Sequence, residues 1–302
     1  MNIRSLTAST AGLTPAVDRN TRELLTAAAF VVLWSTGYIA GKTAVLHAAP
    51  FTVLTLRFGG ASLLFAGFVA WLRPAWPGTR VVLHSAGVGL LSLALQFGGV
   101  YQAFAWGASS GFAALVIGSM PLATSLTAAA LGEKQHANHW VGLVMGFAGV
   151  LLVLQDRLGS GLGSAWAGVA LLVGLCGITF GTLYQKRHAV NVDVNIGLLT
   201  QNLTATAALA PIAVFHEHFR FDATPAFAGS MLWMILLNSG AGFVLLFLLL
   251  RQGAATRVAA LFYLITPATA LLGWALMGEP LSAVKLLGFG LAAGGVYVGT
   301  RR

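Results

Sequence analysis

Charge is scarce in this chain: Asp, Glu, Lys and Arg together make up 8% of its 302 residues. Soluble domains carry about 25%, so a water-soluble globular fold is excluded. Acids are scarcer than bases, 8 against 17, and none falls inside an apolar stretch. That removes the intramembrane carboxylate relay on which proton-driven pumps depend. A single cysteine, Cys176, excludes an internal disulfide and a cysteine metal cluster. It reads as a small packing residue. Alternation of period two with turns every ten residues is missing, which excludes an outer-membrane barrel. Phosphate loops, Ser-His-Asp orders and nucleotide fingerprints are missing too. Residues 1–23 are polar and have no apolar core before a small-residue cleavage site, so no removable signal peptide is expected.

What the chain does have is apolar length. Hydrophobic residues reach 57% and the mean hydropathy is +0.83. Stretches of about 20 apolar residues, enough to cross about 30 Å of hydrocarbon as a helix, recur along nearly the whole sequence. Ten are expected: Leu24–Ala44, Phe51–Leu72, Val81–Ala105, Gly111–Leu131, Asn138–Leu154, Trp166–Gln185, Ile196–Phe215, Ala228–Leu250, Thr256–Met277 and Val284–Thr300. The fold class is an all-α integral membrane protein, with the lipid bilayer as its main partner.

The basic residues orient it. If the amino terminus is cytoplasmic, twelve Lys and Arg flank the inner ends of the spans, four the outer ends, and Arg57 lies within span 2. This is the positive-inside pattern, and it predicts a multi-pass protein of the cell inner membrane with both termini cytoplasmic. The net charge of +9 is thereby explained without nucleic acid.

The end of the chain repeats its middle. Residues 107–153 align with 253–299 without a gap at an offset of 146, and 14 of the 47 columns are identical. The identities include Pro121 with Pro267, Gly132-Glu133 with Gly278-Glu279, and Gly142 with Gly288. Shared greasiness alone does not align Pro, Gly and Glu in this way, so the chain reads as a duplication. The earlier parts pair at an offset of 144, Gly37 with Gly181 and Lys42 with Lys186. The expected organisation is an N-terminal tail over 1–23, a first five-helix repeat over 24–155 and a second over 156–302. Five crossings per unit place the second copy in the membrane from the opposite side, giving two inverted five-helix repeats.

Leu33-Trp34-Ser35-Thr36-Gly37 with Lys42 in span 1, Leu56-Arg57-Phe58 in span 2, and the doubled order of Pro, Gly-Glu and Gly-rich helix carry a family resemblance. From Leu24 to Thr300 the chain resembles the drug/metabolite transporter superfamily in its EamA branch. The resemblance implies a ten-helix carrier with a central cavity, working by alternating access and moving small metabolites, often amino acids or related compounds, outward.

Several residues are candidates for lining such a cavity. Pro121 and Pro267 fall mid-span at equivalent positions, where each is expected to break its helix and mark a midplane site. The turns before them hold Gly118, Ser119, Tyr263 and Thr266. Span 1 places Trp34, Ser35, Thr36 and Tyr38 deeper than the interfacial belt. Ser92 and Gln96 stand four residues apart in span 3, on one face of an α-helix. Asn238 is the repeat equivalent of Ser92, and Thr179 joins the set, with Tyr184, Gln201 and Asn202 as weaker members. All are also suited to hydrogen bonding between helices. Lys42 and Arg57 lie towards the outer ends of antiparallel spans and are placed to meet around a carboxylate or phosphate, although Arg57 is also placed to snorkel.

Glu133 and Glu279 each follow a Gly at a helix end, where an acid complements the amino-terminal dipole of the next helix. Inversion puts them on opposite faces. His136 and His139, and His216 and His218, are loop pairs on opposite faces, so no shared metal site and no metal or other cofactor is expected. Glycines form small-residue faces in span 5 (Gly142, Gly146, Gly149) and span 10 (Gly288, Gly290, Gly294, Gly295), suited to packing inside the bundle or to a homodimer. The expected function is a permease exporting small metabolites, not an enzyme. A membrane-embedded enzyme needs His, Asp or Glu concentrated at one interface, and a sensor or scaffold has no use for paired helix breaks.

Overall fold

The computed structural model describes residues 19–130, 137–158, 164–188, 192–242, 245 and 255–300. Among them, helices follow one another with short connections: α1 (Arg19–Val45), α2 (Pro50–Leu72), α3 (Thr79–Ala105), α4 in two pieces (Ser110–Gly118 and Met120–Ala130) and α5 (Ala137–Leu158). The second half has α6 (Ala165–His188), α7 (Val194–Phe215), α8 (Pro225–Leu232, continuing through Trp233–Gly242), α9 (Ala255–Met277) and α10 (Ala283–Thr300). These ten match the ten expected spans in order, most ends differing by a few residues. The face where α1 begins is called the near face below, and the face where it ends the far face.

Local chemistry sets the ends. Pro50 opens α2 and Pro225 opens α8 in their first turns, where a missing N–H costs nothing. The Ser109 and Thr224 hydroxyls accept from the Phe112 and Phe227 amides, and the Asp193 carboxylate accepts from Asn195 and Ile196. Arg73, at φ 47°, closes α2 in the left-handed region.

Among the described residues, five helices, α1, α2, α3, α6 and α7, are long and apolar enough to cross a membrane by length and composition alone. The outer surface agrees: Leu63, Val144, Phe147, Leu172, Leu203 and Leu287 are exposed. Exposed tryptophans gather near the helix ends, Trp71, Trp76 and Trp140 at the near face and Trp106, Trp166 and Trp274 at the far face. Two belts at that spacing are the signature of a bilayer-spanning bundle. Cys176 is exposed on α6 and packs against no core, contrary to its expected place.

Helix packing is reciprocal between the halves. Equivalent helices pack on each other, α2 on α7, α4 on α9 and α5 on α10. The remaining contacts exchange partners, α1 with α8 and α9 against α6 with α3 and α4. The glycine faces serve this packing inside the bundle. A Cβ added at Gly149 would lie 2.5 Å from the Gly288 carbonyl oxygen, and one at Gly295 2.5 Å from the Gly146 amide nitrogen. Gly290, in contrast, is exposed with open space around it.

Two helices depart from α geometry. Gly89–Leu95 in α3 and Trp233–Gly242 in α8 are π-helical. Moved by the repeat offset, the first falls wholly within the second. Pro121, by contrast, sits in the first turn of the second α4 piece, and that helix is interrupted at Ser119. Pro267 lies inside α9, which runs on without interruption. The paired proline breaks expected from the sequence are therefore seen in the first repeat only. A membrane helix tolerates a proline where neighbouring groups take up the freed carbonyl.

Candidate functional site

Polar residues of α1, α8 and α9 converge in the bundle interior. Ser35 is fully buried and donates to the Ile265 carbonyl at 3.4 Å. Thr36 donates to the Leu33 carbonyl at 2.7 Å and accepts from the Trp233 indole at 2.9 Å. Asn238, within the π segment, donates through Nδ2 to the Leu33 carbonyl at 2.6 Å, while its buried Oδ1 has no partner. Thr266 donates to the Ala114 carbonyl at 3.2 Å, and Ser119 to Val116 at 2.6 Å. The Trp34 ring lies tilted against Phe30, 5.1 Å between centroids, and Tyr38 packs on the main core cluster.

Gly118, Ser119 and Thr266 line one narrow cavity with Leu115, Gly146, Ala292 and Ala293. It has room for about one water molecule. The side chain of Tyr263 lies outside the described residues, as do those of Pro121 and His139, and Glu133 and His136 entirely. Ser92 and Gln96 both lie against α6. Ser92 falls in the π segment, where the hydrogen bonding shifts to i→i+5, and Gln96 directly follows it. Ser92 presses on Gly181 of α6, and Gln96 is buried with its backbone against Gly174 and Gly177. The Thr179 hydroxyl is buried without a partner.

Lys42 and Arg57 have different partners. Arg57 is 6% exposed, so it does not snorkel. Its Nη1 donates to the Tyr101 hydroxyl at 2.8 Å, its guanidinium carbon stands 4.5 Å from the Phe97 ring centroid, and Nε has no partner. Tyr101 in turn donates to the Met234 sulfur at 2.9 Å, reaching from α3 to α8.

Lys42 instead joins a seam along the far face. Its Nζ donates to the Glu279 carboxylate at 2.5 Å, and the same carboxylate accepts from the Ser110 amide at 2.9 Å and hydroxyl at 3.0 Å. Glu279 thus supports a helix start, as its position after Gly278 indicated. The helix is α4, in the other half of the chain, and not the next one, because the chain turns it across the seam. Burial alone would raise the Glu279 carboxyl, but Lys42 and the Ser110 donors outweigh it and hold the group below its ordinary value of 4.5. Glu217, which sequence reasoning missed, repeats the device on α2. It accepts from the amides of Phe51 at 3.0 Å and Thr52 at 2.6 Å and from the Thr52 hydroxyl at 2.8 Å. An isolated bridge between Ala48 and Phe221 and the Asp222 amide on the His47 carbonyl at 2.8 Å close the same line. His216 and His218 are exposed beside it.

The near face carries a further cluster. His84 of α3 meets the Tyr184 hydroxyl of α6 at 2.9 Å, and His188 stacks on Tyr184 at 4.5 Å.

The model of the EamA-like transporter family matches this chain twice, over residues 21–155 and 164–300. The chain belongs to the EamA-like transporter family. The double match shows the two-repeat architecture, and EamA membership makes the protein a transporter and not an enzyme. Its relatives include the uncharacterized inner membrane transporter YedA of Escherichia coli, 27% identical over 265 residues that cover 87% of this chain and 85% of YedA. An uncharacterized transporter of Archaeoglobus fulgidus is 26% identical, covering 90% of this chain and 96% of its own. Bacillus subtilis YvbV is 27% identical, covering 89% and 88%. A protein crystal structure shares the fold with a TM-score of 0.64 at 21% identity, covering 93% of this chain and 96% of its own. An EamA transporter of this kind resides in a membrane, as the apolar spans require.

Proposed function

We propose that this EamA-family transporter is a permease that exports small metabolites, amino acids or related compounds, across the cell inner membrane. Its halves are inverted repeats that rock about a midplane cavity, with both termini cytoplasmic and the far face outside. The observation that carries the reading is the far-face seam. Two acids of the second repeat, Glu217 and Glu279, rest on helix starts of the first. Such contacts separate without unfolding either half, which is what alternating access requires. The matched π segments of α3 and α8 support it, since π turns place local irregularity inside otherwise rigid helices.

The candidate cavity comprises Gly118, Ser119 and Thr266 with Ser35, Thr36 and Asn238 near them in the bundle interior. It is narrow with the seam closed, and separation of the repeats widens it. The test is purified protein in liposomes against labelled amino acids, amines, sugars and nucleosides, with the direction of movement read from both orientations. Saturable movement of at least one class is expected. If no compound moves while the protein remains folded, the carrier reading fails. A reporter fused after Arg302 is expected to read cytoplasmic, and an external signal overturns the orientation.

A further inference from the structure

We infer that Arg57 is the anion-binding element of the solute site and takes a single carboxylate group from a small organic acid with an apolar portion. The inference rests on the carrier reading above and narrows its substrate class. Arg57 is the eighth residue of α2, about 10 Å from the helix start by the rise per residue. It is buried at a depth where an arginine with no task turns to the interface instead.

Its charge is not compensated within the fold. Among the described residues no acid pairs with Arg57. Glu279 is committed to Lys42 and Ser110, Glu217 to the α2 start, and Asp193 to the α7 start. What Arg57 does have is one neutral hydroxyl and the faces of Phe97, Phe58 and Tyr101. Neutral oxygens and ring faces offset part of the cost of a buried cation and leave the rest for an anion to meet. The unpartnered Nε lies on the fork of parallel N–H groups that a carboxylate engages with two hydrogen bonds. The one other cation towards this end of α1 and α2, Lys42, is already paired, so the site offers one positive charge and suits a monoanion better than a phosphate dianion. The rings around the guanidinium favour an apolar body on the acid.

The route to the site follows from which half holds each residue. Arg57, Phe97 and Tyr101 belong to the first repeat, and Met234, which the Tyr101 hydroxyl meets, belongs to the second. When the repeats part along the far-face seam, Met234 leaves with α8 and uncovers the Tyr101–Arg57 pair.

The test measures thermal unfolding of the full-length protein in detergent with acetate, lactate, benzoate and phenylacetate, each against its amide. Carboxylates are expected to stabilise the wild type where their amides do not, with benzoate or phenylacetate ahead of acetate. Arg57→Gln abolishes that difference. Arg57→Lys, which keeps the charge and supports folding where Gln does not, weakens it about tenfold because the ammonium lacks the fork. Equal stabilisation by amides, no response to any of the four acids, an unchanged response in Arg57→Gln, or wild-type affinity in Arg57→Lys each overturns the site. The liposome assay separates the two readings. Carboxylate-specific stabilisation with no solute movement refutes the carrier and keeps the anion site. Movement that is indifferent to Arg57→Gln refutes the anion site and keeps the carrier.

Discussion

Ser92 and Asn238 occupy the same position of the two repeats, and each lies in the π-helical turn of its own helix. The two are used differently: Ser92 lies against Gly181, whereas Asn238 ties α8 to the Leu33 carbonyl of α1.

The contact between Asn238 and α1 leaves room for nothing else. A Cβ added at Gly37 would lie 2.9 Å from the Asn238 amide nitrogen. Gly37→Ala is expected to destabilise the protein by about 1–3 kcal/mol, the usual cost of overpacking. Asn238→Ala in the same chain restores part of it, so the two changes fall short of additivity by at least about 0.5 kcal/mol. Thermal unfolding of both single variants and the double variant checks this, and strict additivity counts against the contact.

Glu279→Gln removes the charge that holds Lys42 and the α4 start together. With Cys176→Ser as background, a cysteine placed at buried Ala108 reports on opening of the far face. Its labelling by an impermeant maleimide is expected to speed up several-fold. In protein that keeps Glu279, thermal stability should fall in acid towards that of Glu279→Gln. Because the folded carboxyl is held below 4.5, its contribution is complete above that value and is lost as pH falls through the lowered one. A melting temperature with the same pH dependence from pH 7 to 3 in both proteins contradicts the seam.

Glu217→Ala strips α2 of a cap that satisfies two amides and a hydroxyl. A loss of about 1–2 kcal/mol is expected, in line with other lost caps, and Glu217→Gln should retain part of it. A melting temperature unchanged in Glu217→Ala would show that water replaces the carboxylate at no cost.

Gly149→Val places side-chain atoms where α5 and α10 touch through backbone. It should lower the folded yield and the melting temperature, while Gly290→Val, open to the outside, should not. Equal behaviour of the two variants would mean the helices are not in close contact.

Much of the fold was legible because a bilayer demands it: long apolar runs and a gapless internal repeat leave few alternatives. Pro50, Pro225, Ser109 and Asp193 stand at helix starts in the structure, local signals that sequence reasoning did not use. The site was less legible. Pro121 and Pro267 look identical in sequence, yet only the first accompanies an interruption, because continuity depends on what surrounds the freed carbonyl. The π segments had no composition of their own to announce them. Glu217 was passed over because its partners, Phe51 and Thr52, are 166 and 165 residues away in sequence, and a cap across that distance leaves no local pattern. Arg57 was singled out from its depth alone, but its aromatic surroundings and its missing counter-charge needed coordinates.

The far-face clamp has no sequence equivalent for one of its two halves. Glu133 stands at the repeat position of Glu279, but the positions corresponding to Glu217 are Trp71 or Arg73, depending on the offset. A duplicated gene has thus kept its architecture while losing the balance between its two doors. In a carrier built this way, the conformers closed at either face differ in free energy even with no solute and no gradient. Under the alternating access proposed above, the empty protein then favours one posture.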